Sequence, residues 1–174
     1  MQRARGFTLI ELMVVLLIIG LAIGMVNFNL GGSEERKVRQ EIDRYYQLLR
    51  FADESAALQG DLIGLLFSSQ FDGQYSGQTE PTVTIAWFRY RAGTWVPAEA
   101  PFTELTLPEG LALELRLDEE PVDISKEAET PQVIFSGSGE ISNFEMRLSY
   151  QDVPIGYIAI DVTGDLVQAD SYEP

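Results

Sequence analysis

Gly6-Phe7-Thr8-Leu9-Ile10-Glu11-Leu12 is the stretch on which the reading of this 174-residue chain turns. Arg3 and Arg5 stand ahead of it. Behind it, Leu12 to Val26 carries no charge and no strongly polar side chain. Phe7 to Val26, wound as a helix, reaches roughly 30 Å, the thickness of a bilayer's hydrocarbon core. Glu11 is the exception in the run. A carboxylate at mid-membrane costs about 2.5–3.5 kcal/mol on insertion scales, so it asks for a compensating charge. Cleavage between Gly6 and Phe7 would supply one: Phe7 gains a charged α-amine one helical turn from Glu11, and a neighbouring copy's amine could reach the same carboxylate. Before the cut that nitrogen is an uncharged amide. The positive end of the helix dipole also favours an acid in the first turn. The competing reading is a secretory signal peptide with a basic Arg3/Arg5 region and an Ala22-Ile23-Gly24 cleavage site. Glu11 is out of place in the purely apolar segment that reading requires.

This stretch resembles the prepilin signature of type IV pilins and type II secretion pseudopilins. In that family a membrane aspartyl peptidase cuts after the glycine and methylates the new N-terminal phenylalanine. The resemblance therefore implies a leader at 1–6, cleavage between Gly6 and Phe7, methylation of Phe7, and Glu11 pairing with a neighbour's amine to set register. It implies a transmembrane and assembly helix over 7–30, a single inner-membrane pass, and a periplasmic domain over 31–174. Charge bias alone does not orient the span, because Arg36, Lys37 and Arg39 follow it as Arg3 and Arg5 precede it.

Composition narrows the chemistry. The formal charge is −15, and loss of Arg3 and Arg5 with the leader takes the side-chain sum to −17. Such a surface repels nucleic acid and anionic lipid, so no nucleic-acid partner is expected. The chain has neither Cys nor His. That excludes a disulfide, thiol chemistry, a Ser-His-Asp triad and a histidine-ligated zinc. Many type IV pilins close a C-terminal loop with a disulfide; the lack of cysteine favours a pseudopilin over a pilin. Paired carboxylates are the only catalytic chemistry left, and 27 acids make some pair inevitable, so the expectation is a protein that is not an enzyme.

Along the chain, Gly20 and Gly24 form a G-x-x-x-G pair suited to close helix packing. Gly31-Gly32-Ser33 followed by Glu34-Glu35 predicts a kink or hinge, with Ser33 as an N-cap. An amphipathic helix is expected over 33–59, its seam running through Val38, Ile42, Tyr45, Leu49, Ala52 and Ala56, with Gly60 as the stop. Most of that seam reads as a core face. Val38, Ile42 and Tyr45 are expected to extend beyond the sheet and meet partners. From 61 to 170 the pattern is strand-like: Leu62–Phe67, Thr82–Tyr90, Leu111–Leu117, Phe144–Tyr150, and Tyr157–Val162 leading into a hairpin through Thr163-Gly164-Asp165. The fold expected is α+β, a long N-terminal helix packed on one or two antiparallel sheets. Trp87, Tyr90 and Trp95 raise a carbohydrate- or exoprotein-binding reading, but aromatics on strands belong more often to a core. Gln70–Pro81 and the acidic Asp118–Thr130 read as loops. The second lacks the ordered D-x-[DN]-x-[DN]-G spacing of a calcium loop, so no metal and no cofactor are expected.

The order of helix, strands and the late Val133–Gly139 and Ile158–Leu166 landmarks looks like the H-type minor pseudopilins of type II secretion. That resemblance implies a structural subunit near the tip of the pseudopilus, the filament that drives export of folded exoproteins across the outer membrane. It implies as partners the prepilin peptidase/methyltransferase, the other minor pseudopilins, the major pseudopilin and the inner-membrane assembly platform. A minor pilin of a type IV pilus is the alternative.

Overall fold

The four-and-three spacing from Val38 to Ala56 puts six apolar side chains on one stripe of a helix, and the fold is built on that stripe. The computed structural model describes residues 9–70 and 81–171, and the side chains of all of these but 21–33. Helix α1 covers Leu9–Gln59. It continues through Gly31-Gly32-Ser33 without a break in secondary structure, so Ser33 caps nothing. Extending a helix that is already nucleated costs far less than starting one, and each glycine opposes it by only about 1 kcal/mol. The chain divides into two compact units, Met1–Lys37 and Val38–Pro174.

In the second unit, α1 ends on a Schellman cap. Gly60 takes φ 67°, and the Asp61 amide donates to the Ala56 carbonyl at 3.2 Å. Ten strands follow: β1 Leu62–Gln70, β2 Thr82–Arg91, β3 Thr94–Pro97, β4 Leu105–Thr106, β5 Leu111–Leu117, β6 Glu120–Val122, β7 Val133–Ser136, β8 Phe144–Tyr150, β9 Val153–Ile160 and β10 Leu166–Ala169. They form two five-stranded antiparallel sheets. Sheet A has the order β3-β2-β1-β7, with β4 also on β2; sheet B runs β10-β9-β8-β5-β6. The fold is α+β with two sheets, as the patterning predicts.

Three connections are two-residue turns with both φ angles positive: Ala92-Gly93, Asp118-Glu119 and Gln151-Asp152. They join directly paired residues, Arg91 to Thr94, Leu117 to Glu120 and Tyr150 to Val153. Such turns match the right-handed twist of the strands they connect. One of them corrects the reading of Asp118–Thr130 as a loop, because its first residues turn the chain into β6. The segment 71–80, expected as a loop, lies outside the described residues.

A single apolar cluster joins the helix stripe to both sheets. It takes Ile63, Leu65 and Phe67 from β1, Ile85 and Trp87 from β2, Leu115 from β5, and Phe144, Met146 and Leu148 from β8. These are alternate residues of each strand, which is why the periodicity of the sequence located them.

Candidate assembly interface

The first half of α1 is the candidate assembly element. Leu9, Ile10, Leu12, Met13 and every large apolar residue from Val14 to Ile19 are exposed, Leu9 by 78 % and Leu16 by 66 %. Glu11 lies in the first turn. Gly20 has open space around it, so a neighbouring helix could approach its backbone. Gly6 and Phe7 lie outside the described residues, and Gly24 falls in the stretch of α1 whose side-chain surroundings are not described. Among the described residues no helix is long and apolar enough to cross a membrane. An apolar surface on all sides of a helix, interrupted by one acid, suits burial among lipids or other helices and not exposure to water.

The second half of α1 overturns one expectation. Val38, Ile42 and Tyr45 are only 5 %, 2 % and 4 % exposed. They belong to the domain's own core and are not available as a partner contact. The reason lies in β9: Gly156 has no side chain, and a Cβ built there would stand 3.0 Å from Ile42 Cδ1 and 3.1 Å from its Cγ2. The glycine lets sheet B approach the upper end of the seam. Polar contacts fix the same edge. Arg39 Nη1 donates to the Ile155 carbonyl at 3.2 Å, Tyr46 Oη to the Leu166 carbonyl at 3.1 Å, and Gln168 Nε2 to Asp43 Oδ1 at 2.7 Å. Burial raises the Tyr45 hydroxyl above its ordinary value, with Glu41 adding to the effect. Burial likewise raises the Asp53 carboxyl, reinforced by Glu54 and by Asp165 on the β9–β10 turn.

The far end of α1 is tied to sheet A by Arg89. Its guanidinium donates to Gln59 Oε1 at 2.6 Å, Asp61 Oδ2 at 2.8 Å and Ser55 Oγ at 3.3 Å, and lies over the Phe102 ring. Phe102 stacks on Phe51 and packs against Trp87. Gly137 sits against the helix cap, where a Cβ would be 2.6 Å from the Gly60 backbone. This explains the Ser136–Gly139 segment as a packed turn. The cleft beside Arg89, about 190 Å³, is lined by Gln59, Arg91, Val96, Pro97 and Glu99. It is smaller than the roughly 300–1,000 Å³ of small-molecule sites.

The acidic stretch forms local contacts. Asp123 accepts from the Ser125 hydroxyl at 2.6 Å and pairs with Lys126 at 3.1 Å, which holds its carboxyl below the usual range. Asp161 is lowered in the same way by the Thr163 hydroxyl and backbone amides of its turn. Among the described residues no three carboxylates gather into a metal-binding group. Of the three aromatics, Trp87 is buried in the core, whereas Tyr90 and Trp95 meet edge-on at 5.2 Å, outside the core cluster.

Comparison with known proteins finds two family profiles in the chain. Residues 1–27 match the family profile described as a prokaryotic N-terminal methylation motif, and residues 41–165 match that described as type II transport protein GspH. Type II secretion system protein H of Pectobacterium carotovorum is 27 % identical, over 98 % of this chain and 95 % of its own length. Its counterpart from Pseudomonas aeruginosa is 28 % identical, over 86 % of this chain and 85 % of its own. A core protein G of Klebsiella pneumoniae is 50 % identical over 42 residues, 24 % of this chain and 30 % of its own. Among solved structures, the minor pseudopilin EPSH from the type II secretion system of Vibrio cholerae superposes with a TM-score of 0.58 at 19 % identity. The superposition covers 80 % of this chain and 98 % of that one.

Proposed function

The chain belongs to the family described as type II transport protein GspH, and we propose that it is a structural subunit of the type II secretion pseudopilus, a minor pseudopilin near the filament tip. The observation that carries this reading is the joining, in one chain, of an N-terminal methylation motif over 1–27 to a GspH domain over 41–165. The exposed apolar half of α1 supports a role in polymerisation, since it needs a non-aqueous neighbour at every stage.

The mechanism requires no catalysis by this chain. The protein is inserted by its N-terminal helix as a single inner-membrane pass with the domain in the periplasm. A prepilin peptidase removes residues 1–6 and methylates Phe7. The new amine and Glu11 then form charge-assisted contacts between adjacent subunits, and the helix passes from lipid into a bundle formed with other pseudopilins on the assembly platform. Gly20 and Gly24 let helices approach closely there. The acidic domain stays outside the bundle. Identical domains, each with a formal charge of −16 over 31–174, repel at close range even behind a screening length of about 8 Å, which favours mixed over homopolymeric assembly.

An in-frame deletion in the native host tests this. Folded exoproteins should accumulate in the periplasm, and the wild-type chain should restore export. Undiminished export by the deletion strain would remove the proposal.

A further inference from the structure

We propose that the cleft lined by Arg91 and Glu99, at the C-terminal end of α1, is a socket for an acidic side chain of a neighbouring pseudopilin, with Arg91 as its anchor; the class of this partner rests on the function proposed above. The alternation of β2 builds the socket. Val83, Ile85 and Trp87 point into the core, and Arg89 and Arg91 continue the same phase, so both stand on the helix side of the strand. Arg89 meets the last residue of α1 and its cap through Gln59 and Asp61. Arg91 lies two residues further on, about 7 Å along the strand and beyond the cap.

The two arginines differ in how their charge is met. Only 12 % of the Arg89 side chain is exposed, and Asp61 takes its charge at 2.8 Å. Every other basic side chain of the unit Val38–Pro174 also stands 3.9 Å or less from a carboxylate, except Arg91, which among the described residues has none. The chain holds 27 acids against 12 bases, so a shortage of carboxylates does not explain this. Glu99 is exposed and lines the same cleft, yet among the described residues it is not paired with Arg91.

Size and charge select the occupant. About 190 Å³ admits one side chain and falls short of a small-molecule site. Val96, Pro97 and Ala100 offer apolar walls to the methylenes of an acidic side chain, and the Arg91 guanidinium offers paired N–H donors to its carboxylate oxygens. Glu99 repels a bare anion but can accept a backbone N–H from the segment that carries the carboxylate, which favours a protein over a free ion. Elsewhere on the domain an incoming acid meets cations that are already neutralised.

The test uses the full-length protein in its native host. Arg91→Lys keeps the charge and supplies a primary amine, which a zero-length carbodiimide joins to a carboxylate in contact with it. The chain's own lysines are Lys37 and Lys126, so a linked peptide from position 91 is readily assigned by mass spectrometry. It should carry an Asp or Glu of another pseudopilin, and Arg91→Gln should give no such adduct. Arg91→Glu should lower filament incorporation and export by about fivefold or more, while Arg91→Lys retains at least about half of both. The cross-link reads the contact even if Arg91→Glu reduces the protein level. Absence of a pseudopilin adduct, an adduct confined to Glu99 or to a second copy of this chain, or full export and incorporation by Arg91→Glu would overturn the socket. If deletion of the gene abolishes export in that same strain, the functional reading stands and the socket alone is wrong. If deletion leaves export intact, both fall.

Discussion

Replacing Ile42 by Ala should destabilise the domain itself and not a partner contact. Ile42 is 2 % exposed, and its methyl groups face Gly156 on β9. The substitution removes three carbons, worth about 0.8 kcal/mol each in transfer. The cavity left behind adds to this, so the expected loss is about 3–4 kcal/mol, within the 2–5 kcal/mol usual for such a change. For a domain of this size that lowers Tm by roughly 10–15 °C. The assay is thermal unfolding of a fragment beginning at Ser33, followed by circular dichroism. Gly156→Ala alone should cost about 1–3 kcal/mol by crowding Ile42. The double variant should lose less than the sum by at least about 0.5 kcal/mol, because the new methyl enters the vacated space. A Tm within about 2 °C of wild type for Ile42→Ala, or strict additivity of the pair, would refute the placement of the upper seam in the core.

Three further outcomes follow from the geometry. Gly137→Ala drives a methyl into the Gly60 backbone at 2.6 Å and should destabilise the same fragment by about 1–3 kcal/mol, read as a shift of the urea midpoint. The folded-state pKa of Asp53 is raised above its unfolded value near 3.9, so its stabilising contribution is complete below that pH and is lost as pH rises through the raised value. Asp53→Asn should therefore stabilise the fragment at pH 7, by less than about 1 kcal/mol for so accessible a group, seen as a small rise in Tm that fades toward pH 4. Glu11→Ala should insert in the membrane at least as well as wild type, while export falls and the protein fails to cross-link to its filament neighbours.

The long-range order of this fold was legible where one physical period dominated. The stripe from Val38 to Ala56 and the alternation of Leu111, Leu113, Leu115 and Leu117 reveal helix and strand because each element buries one face. Gly60 reads as a stop and is one. The elements that escaped notice are the short ones. β4 has two residues, β3 ends in Pro97, and β6 lies within the acidic stretch. Two of the three tight hairpins, Asp118-Glu119 and Gln151-Asp152, contain no glycine or asparagine to announce positive φ. The misreading of Val38, Ile42 and Tyr45 has a different cause. Periodicity identifies a buried face but not what buries it. Gly156, which brings β9 onto Ile42, is 114 positions away in the chain. Trp95 escaped for a related reason: it looks like a core residue until β3 is paired with β2, where it meets Tyr90 outside the core cluster.

The most direct test of the central claim is mass spectrometry of pseudopili purified from the native host. The account predicts that this chain is present in the filaments as a minor component, beginning at a methylated Phe7, and that Glu11→Ala depletes it. Filaments that lack the chain altogether, with the protein recovered instead as a soluble species starting at Met25, would contradict the account.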